Sequence, residues 1–211
     1  MDICKILIES FKLRGIFHSE ADFQHHFAWA IQNAHSNAEI RLEYPIEGET
    51  SKRKYCDIFL KSPECIGIEL KYKTKRISCP HKDKDKYKYK YNGEIFELKN
   101  QSAYPLGRYD FLKDISRLEN WLTQEVINYG YAIILSNDKA YWKPPKGNPI
   151  DSEFRIHNRT ISGKLSWSNK ASEGTTRGRE SITLKGEYTL EWIDSVFKEF
   201  KYLVVQVKKS S

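Results

Sequence analysis

Two short apolar runs joined by four residues constrain the fold of this chain most. The runs Tyr55 to Leu60 and Cys65 to Tyr72 have the length and the aromatic and β-branched content of strands. The stretch between them, Lys61-Ser62-Pro63-Glu64, has the composition of a short turn. The pattern therefore predicts a β-hairpin.

The two predicted strands each place ionisable groups on one face. Side chains alternate between the two faces of a strand. One face of the hairpin is therefore expected to carry Cys56, Ile58, Leu60, Ile66, Ile68 and Leu70, and the other to carry Tyr55, Asp57, Phe59, Gly67, Glu69 and Lys71. The first set is mainly aliphatic, and the second brings Asp57, Glu69 and Lys71 together on a common face.

This grouping has the residue types needed to hydrolyse a phosphodiester. Carboxylates can hold a divalent metal that stabilises charge on the phosphate and activates water, and magnesium needs only one or two of them. Asp57 and Glu69 would supply these carboxylates, and the Leu70 carbonyl would add a third oxygen. Lys71 would orient or help deprotonate the attacking water and offset charge on the phosphate. The alternative is an ordinary salt-bridged, exposed sheet face.

The stretch Arg53 to Ile58 followed by Ile66 to Lys71 resembles the core hairpin of the PD-(D/E)xK superfamily of restriction-endonuclease-like proteins. In that superfamily the Asp and the Glu bind metal, the Lys is catalytic, and an acid on a preceding helix often supports the metal. The resemblance covers about residues 18–72 and extends to 108–137. It implies four catalytic residues, Glu20, Asp57, Glu69 and Lys71, and a Mg²⁺ or Mn²⁺ ion held by Asp57, Glu69, the Leu70 carbonyl and, through water, Glu20.

One position departs from the named pattern of the superfamily. Cys56 stands before Asp57 where that pattern has proline. This substitution is common in the superfamily and leaves the chemistry of the acids unchanged.

Glu20 belongs to a predicted helix that opens after His18. Ser19 is a good N-cap, and acids in the first turn complement the helix dipole. The inner stripe of this helix is expected to contain Phe23, Phe27, Ile31 and Ala34. Glu20 lies on the same stripe and so would point inward, although a plain dipole role is an equally good interpretation.

The remaining pattern predicts an α/β fold. Residues 3–13 have a helical stripe, and a helix over about 108–127 has an inner stripe of Phe111, Ile115, Leu118 and Leu122. The apolar run 131–135 follows as a buried strand, parallel to a neighbour. We expect a restriction-endonuclease-like mixed central sheet of four or five strands with helices on both faces.

The C-terminal third is expected to form a β-rich extension. Strands are predicted near 160–167, 182–192 and 202–207, with a short helix near 194–200. The whole chain, 1–211, is thus interpreted as one nuclease domain with a catalytic core of about 18–137 and C-terminal strands and loops over 138–211.

Charge along the chain indicates a polyanionic partner. The net charge is +7, and residues 71–90 contain nine bases and two acids. The candidate nucleic-acid contacts are Lys73, Lys75, Arg76, Lys86, Lys88, Lys90, Gln101 and Arg108. Tyrosines between residues 86 and 91 could stack on bases. The alternative for this segment is a solvated loop. The alternative for Gln101 and Arg108 is that they are polar residues at the start of the third helix and face water. Asp110 and Asp114 are expected on a solvated face.

Other features narrow the function. No apolar run approaches the roughly 20 residues of a membrane helix, and the N-terminus lacks the pattern of a signal peptide. Four scattered cysteines suit a reducing cytoplasm. The sequence thus predicts a cytoplasmic, metal-dependent nuclease acting on DNA, with no membrane partner and with homodimerisation left open. A catalytically inactive nucleic-acid-binding module of the same fold and a partner-binding protein are the alternatives.

Overall fold

The chain folds into a mixed sheet with helices on both of its faces. The computed structural model describes residues 1–46, 54–61, 63–77 and 89–209. The helices are α1 (Ile3–Leu13), α2 (Glu20–Ala34), α3 (Tyr104–Thr123) and α4 (Glu173–Thr176). The strands are β1 (Glu39–Ile46), β2 (Lys54–Lys61), β3 (Cys65–Lys73), β4 (Tyr89–Tyr91), β5 (Glu94–Phe96), β6 (Tyr129–Ser136), β7 (Arg159–Leu165), β8 (Ile182–Leu190), β9 (Ile193–Asp194) and β10 (Lys201–Val207).

Six strands form the central sheet in the order β1-β2-β3-β6-β10-β9. Strands β3 and β6 are parallel, as predicted from the crossover through α3, and the other neighbours are antiparallel. The α/β class and the mixed sheet are confirmed, with one or two more strands than expected.

The predicted hairpin is β2–β3, and its pairing covers only part of each strand. Antiparallel partners run from Lys61 opposite Cys65 to Ile58 opposite Ile68. Within the described residues, no β2–β3 pair continues through Asp57, while β3 stays paired with β6 as far as Lys73. The hairpin therefore opens next to Asp57, and the amides of β3 beyond Ile68 need other partners on that side.

Alternation along the strands divides the core into two layers. On one face, Ile58, Ile68 and Leu70 pack with α1 and α2. On the other, Phe59 packs with α3 and with the separate β7–β8 sheet. Cys56 departs from the predicted alternation, since it packs in the α3 layer rather than with Ile58.

Helix α2 begins as predicted, with the Ser19 hydroxyl accepting a hydrogen bond from the Asp22 amide at 3.1 Å. Phe23, Phe27 and Ile31 are fully buried. Ala34 is exposed, because it is the last residue of the helix and lies beyond the layer that α2 covers.

Helix α3 begins and ends four residues earlier than predicted. A proline at position 105 lies in its first turn, where the missing amide hydrogen costs nothing. All four predicted inner residues of α3 are buried. Position 107 leaves no room for a side chain, because a Cβ on Gly107 would collide with the Tyr141 hydroxyl.

The last third of the chain corrects two predictions. The short helix predicted near residues 194–200 is absent, since these described residues form the end of β9 and a turn. Strand β10 joins the central sheet between β6 and β9, so the C-terminal residues are not only an extension. The β7–β8 sheet does lie apart and packs on α3. Among the described residues, none of the helices has the length and apolarity needed to cross a bilayer.

Candidate functional site

Asp57 lies where the β2–β3 hairpin opens. Its Oδ2 accepts a hydrogen bond from the Leu70 amide at 2.6 Å, which replaces a backbone partner from β2. Leu70 is the residue between Glu69 and Lys71, so this bond fixes Asp57 beside both. Burial raises the pKa of Asp57, Asp114 and Glu20 raise it further, and Lys71 opposes the shift.

Glu20 reaches the same edge of β3 from the first turn of α2. Its Oε2 accepts a hydrogen bond from the Tyr72 amide at 2.7 Å and lies 4.0 Å from the Lys73 ammonium. Its side chain is 43% exposed, so the predicted inward orientation holds only in part. Asp57 and Glu20 therefore accept from the amides of Leu70 and Tyr72, the two residues of β3 on either side of Lys71.

Glu69 is the most buried acid of the site. Arg117 donates to its Oε2 at 2.5 Å, and its Oε1 is buried with no hydrogen-bond partner among the described residues. Burial raises the pKa of Glu69 well above its usual range, the charge of Asp114 adds to this shift, and Arg117 opposes it. A buried carboxylate with an unsatisfied oxygen is costly, which is a reason to expect a further partner.

Lys71 is held by an acid from α3. Its ammonium group lies 2.7 Å from Asp114 Oδ2 and donates to the Leu70 carbonyl at 3.0 Å. Burial alone would lower the pKa of Lys71, but Asp114, Asp57 and Glu20 together outweigh burial and raise it. The three acids therefore favour the charged ammonium form of Lys71, which donates hydrogen bonds.

Two site residues on α3 were not predicted. Asp114 was expected on a solvated face, yet it is buried and bridges Lys71 and Arg117, which lies 2.7 Å from its Oδ1. The earlier prediction is wrong because Asp114 lies three residues after Phe111 and four before Leu118, on the inner stripe of α3. Its position on that stripe could have identified it from the sequence.

The donor set suits a hard divalent cation only in part. Asp57 and Glu69 offer carboxylate oxygens, and the Leu70 carbonyl accepts a hydrogen bond from Lys71. Glu69 Oε1, which has no partner among the described residues, could take a ligand. No group of three or more His, Cys, Asp or Glu side chains in the described part of the chain is arranged to hold a metal. Two carboxylates completed by waters would be enough for magnesium. Arg117 would then share Glu69 with the ion or leave it.

Seven of the eight predicted nucleic-acid contacts fall into three groups. Lys75, Arg76 and Lys90 are exposed and Lys73 is half-buried, so their positions suit a surface role. Gln101 is exposed, but its Oε1 accepts from the Thr74 amide at 2.9 Å and so anchors the end of β3. Lys86 and Lys88 lie outside the described residues.

Arg108 corrects the prediction for the start of α3. It is 3% exposed, and its guanidinium lies 2.6 Å from Asp151 and donates to the Ala140 carbonyl at 3.1 Å. A side chain buried and paired in this way ties α3 to the chain after β6. It is not placed to contact a phosphate at the surface.

Comparisons with known proteins leave the geometry of this site as the main guide to function. No protein-family model, no curated protein and no solved structure matches the chain.

Proposed function

We propose that this protein is a metal-dependent nuclease of the PD-(D/E)xK type that hydrolyses phosphodiester bonds in DNA. One observation carries the proposal: Asp57 binds the amide of the residue between Glu69 and Lys71, at the point where the β2–β3 hairpin opens. The bond holds Asp57 next to Glu69 and Lys71, the acid and the lysine that the resemblance to the superfamily singles out. The burial of Glu69, one oxygen of which has no hydrogen-bond partner in the described part of the chain, supports it further.

The side chains divide the chemistry between them. Asp57, Glu69 and the Leu70 carbonyl would hold a magnesium or manganese ion, with Glu20 placed to contribute through water. Such an ion supplies charge stabilisation at the phosphate and a more acidic water. Lys71, protonated and held by Asp114, would donate a hydrogen bond toward the phosphate and offset its developing negative charge.

The proposal is tested by incubating the purified protein with plasmid and linear DNA in the presence of Mg²⁺ or Mn²⁺. Cleavage is expected, and Lys71→Ala or Asp57→Ala should reduce its rate by roughly a hundredfold or more, the scale of a lost catalytic group. The control is Lys61→Ala, which removes an exposed lysine at the far end of the hairpin. Circular dichroism would verify that each variant is folded. Equal cleavage by the wild type and by both site variants would remove the assignment.

A second function, nucleic-acid binding without turnover, is favoured by the α3 ion pairs. Arg117 already neutralises Glu69, and Asp114 already engages Lys71. If these pairs persist with substrate, Arg117 keeps one oxygen of Glu69 from an ion, and Lys71 stays bound to Asp114 instead of the phosphate. Salt-sensitive DNA binding with no cleavage in any divalent metal would select this alternative.

A further inference from the structure

A second cluster of positive charge lies around a pocket of about 450 Å³ at one end of the central sheet. It is lined by cations from three separate parts of the chain, Lys75, Arg76, Lys139, Lys198 and Lys201. Glu199 is an acid in the lining, and Asp194 lies 2.8 Å from Lys201. Among the described residues of this region, cations therefore outnumber acids. We call this region the basic pocket. Three of its cations were not identified from the sequence.

The floor of the basic pocket is held firmly. Asn137 accepts from the Lys75 amide at 2.7 Å and donates to the Lys75 carbonyl at 2.8 Å. The Arg76 amide donates to Asn100 at 2.8 Å, and Thr74 is bonded to Gln101. Backbone fixed by these side-chain amides does not have to be ordered when a ligand binds, which removes one of the costs of binding.

The position of the basic pocket links it to the candidate active site. Lys75 follows β3 and Asn137 follows β6, so the pocket lies at the carboxyl ends of the two parallel strands. This is the edge of an open α/β sheet at which ligands usually bind. At the rise of an extended strand, Lys75 is roughly 13 Å beyond Lys71. One extended polymer could therefore contact both places.

Trp142 narrows the kind of ligand. Trp142 is a lining residue of the basic pocket, and its ring packs at 5.5 Å and 51° against the ring of the buried Trp192. An aromatic ring beside several cations matches a nucleotide, whose phosphate meets the ammonium groups while its base stacks on the ring. In an intact duplex each base is already stacked on its neighbours, so an unpaired strand fits this arrangement better.

We propose that the basic pocket binds a single strand of DNA, with phosphates at Lys75, Lys139 and Lys198 and a base against Trp142. The inference rests on the proposed function for its choice of DNA as partner, but not on catalysis. Its consequence is that the protein acts on DNA with an unpaired segment next to the cleavage point.

The inference is tested by fluorescence anisotropy with a labelled oligo(dT) of about 12 nucleotides, within the range of known single-strand sites. A chelator keeps the DNA intact. The double variant Lys139→Gln/Lys198→Gln should bind roughly tenfold or more weakly, and its log Kd should depend less steeply on log salt by about 1.4, the value for two lost contacts to a single strand. The control, Lys164→Gln/Lys170→Gln, removes two exposed lysines outside the pocket.

Trp142 variants separate stacking from charge. Trp142→Leu should weaken binding by roughly fivefold or more, and Trp142→Phe should restore most of it. Equal effects of the pocket and control lysine pairs would overturn the inference, as would duplex DNA binding as tightly as oligo(dT). Inhibition of oligo(dT) binding by a deoxynucleoside monophosphate at similar affinity would also overturn it, since the pocket would then be a small-ligand site.

Failure of this inference and failure of the proposed function are distinguishable. Cleavage that depends on Lys71, combined with equal effects of the two lysine pairs, removes the basic pocket and keeps the nuclease. If the protein cuts no DNA but its pocket variants lose oligo(dT) binding, the nuclease proposal is removed and the basic pocket is kept.

Discussion

Under the proposed function, Arg117 would compete with the metal for the buried carboxylate of Glu69. Its guanidinium bonds to Glu69 and to Asp114, and it lies 5.4 Å from the ring centroid of Trp121. In the absence of a cation, these contacts compensate two acids in a region of low dielectric. A divalent ion at Glu69 must repel or displace this positive charge.

Replacing Arg117 should therefore affect metal affinity and metal-free stability in opposite directions. Arg117→Met should bind Mn²⁺ roughly tenfold more tightly by calorimetry, because Glu69 no longer has a competing cation. The same variant should melt at a lower temperature in chelator, because Glu69 and Asp114 lose their partner. Lys113→Met, an exposed change of the same charge on α3, is the control. Unchanged or weaker Mn²⁺ binding by Arg117→Met would contradict the competition.

At the scale of elements, one buried acid joins α3 to the β7–β8 sheet. Glu119 accepts hydrogen bonds from the amides of Lys185 and Gly186 at 2.9 and 2.7 Å and from the Tyr188 hydroxyl at 2.8 Å. The carboxylate thereby satisfies amides of β8 that face α3. Since α3 also carries Asp114 and Arg117, the β7–β8 sheet braces the helix behind the candidate site.

Glu119→Gln should destabilise the protein by roughly 2–3 kcal/mol, the scale of hydrogen bonds to a charged acceptor. The NH₂ group of the glutamine cannot accept a hydrogen bond from the backbone amides that the carboxylate binds. At least one hydrogen bond is therefore lost, and one buried polar group is left unsatisfied. Urea unfolding would measure the change. Glu187→Gln, on the exposed face of the same strand, should change stability by less than about 0.5 kcal/mol. Similar effects of the two substitutions would show that Glu119 does not hold the β7–β8 sheet to α3.

The elements that could be predicted from the sequence are those set by local periodicity. The β2–β3 hairpin, α2 and the inner stripe of α3 each depend on apolar residues spaced within one segment, and the structure has all three. Strand β4 was missed although Asn92-Gly93 is a strong hairpin signal. Both residues have positive φ, 49° and 83°, as the tight turn between β4 and β5 requires.

The features that could not be predicted depend on pairing distant in sequence. The apolar run of β10 indicates a strand, but not that it pairs with β6 about 70 residues earlier. Arg117 is a similar case, since its role depends on Glu69 on another element. Arg108 lies three residues before Phe111, in line with the inner stripe of α3, but the acid that pairs with it, Asp151, is 43 residues later in the chain.

At the scale of the whole molecule, the central sheet is completed by residues from both ends of the chain. Strand β10 pairs with β6 along seven residues, from Lys201 opposite Ser136 to Val207 opposite Gly130. Helix α1 covers part of the same sheet, and Phe11 lies 5.2 Å from Tyr202 of β10, centroid to centroid. The predicted catalytic core of 18–137 contains neither element, although both bury its strands.

A fragment ending at residue 137 should therefore fail to fold. Removing β10 would leave β6 as an exposed, strongly apolar edge with unpaired amides and carbonyls, an arrangement that promotes aggregation. It would also expose the part of the core that the buried side chains of Leu203 and Val205 cover. We expect the fragment 1–137 to show no cooperative thermal transition and no near-ultraviolet circular dichroism. A chain ending at Lys208 keeps all of β10 and should unfold cooperatively, as the full chain does. Cooperative unfolding of the fragment 1–137 would show instead that the residues before β7 form a self-sufficient core, with β10 added only at its edge.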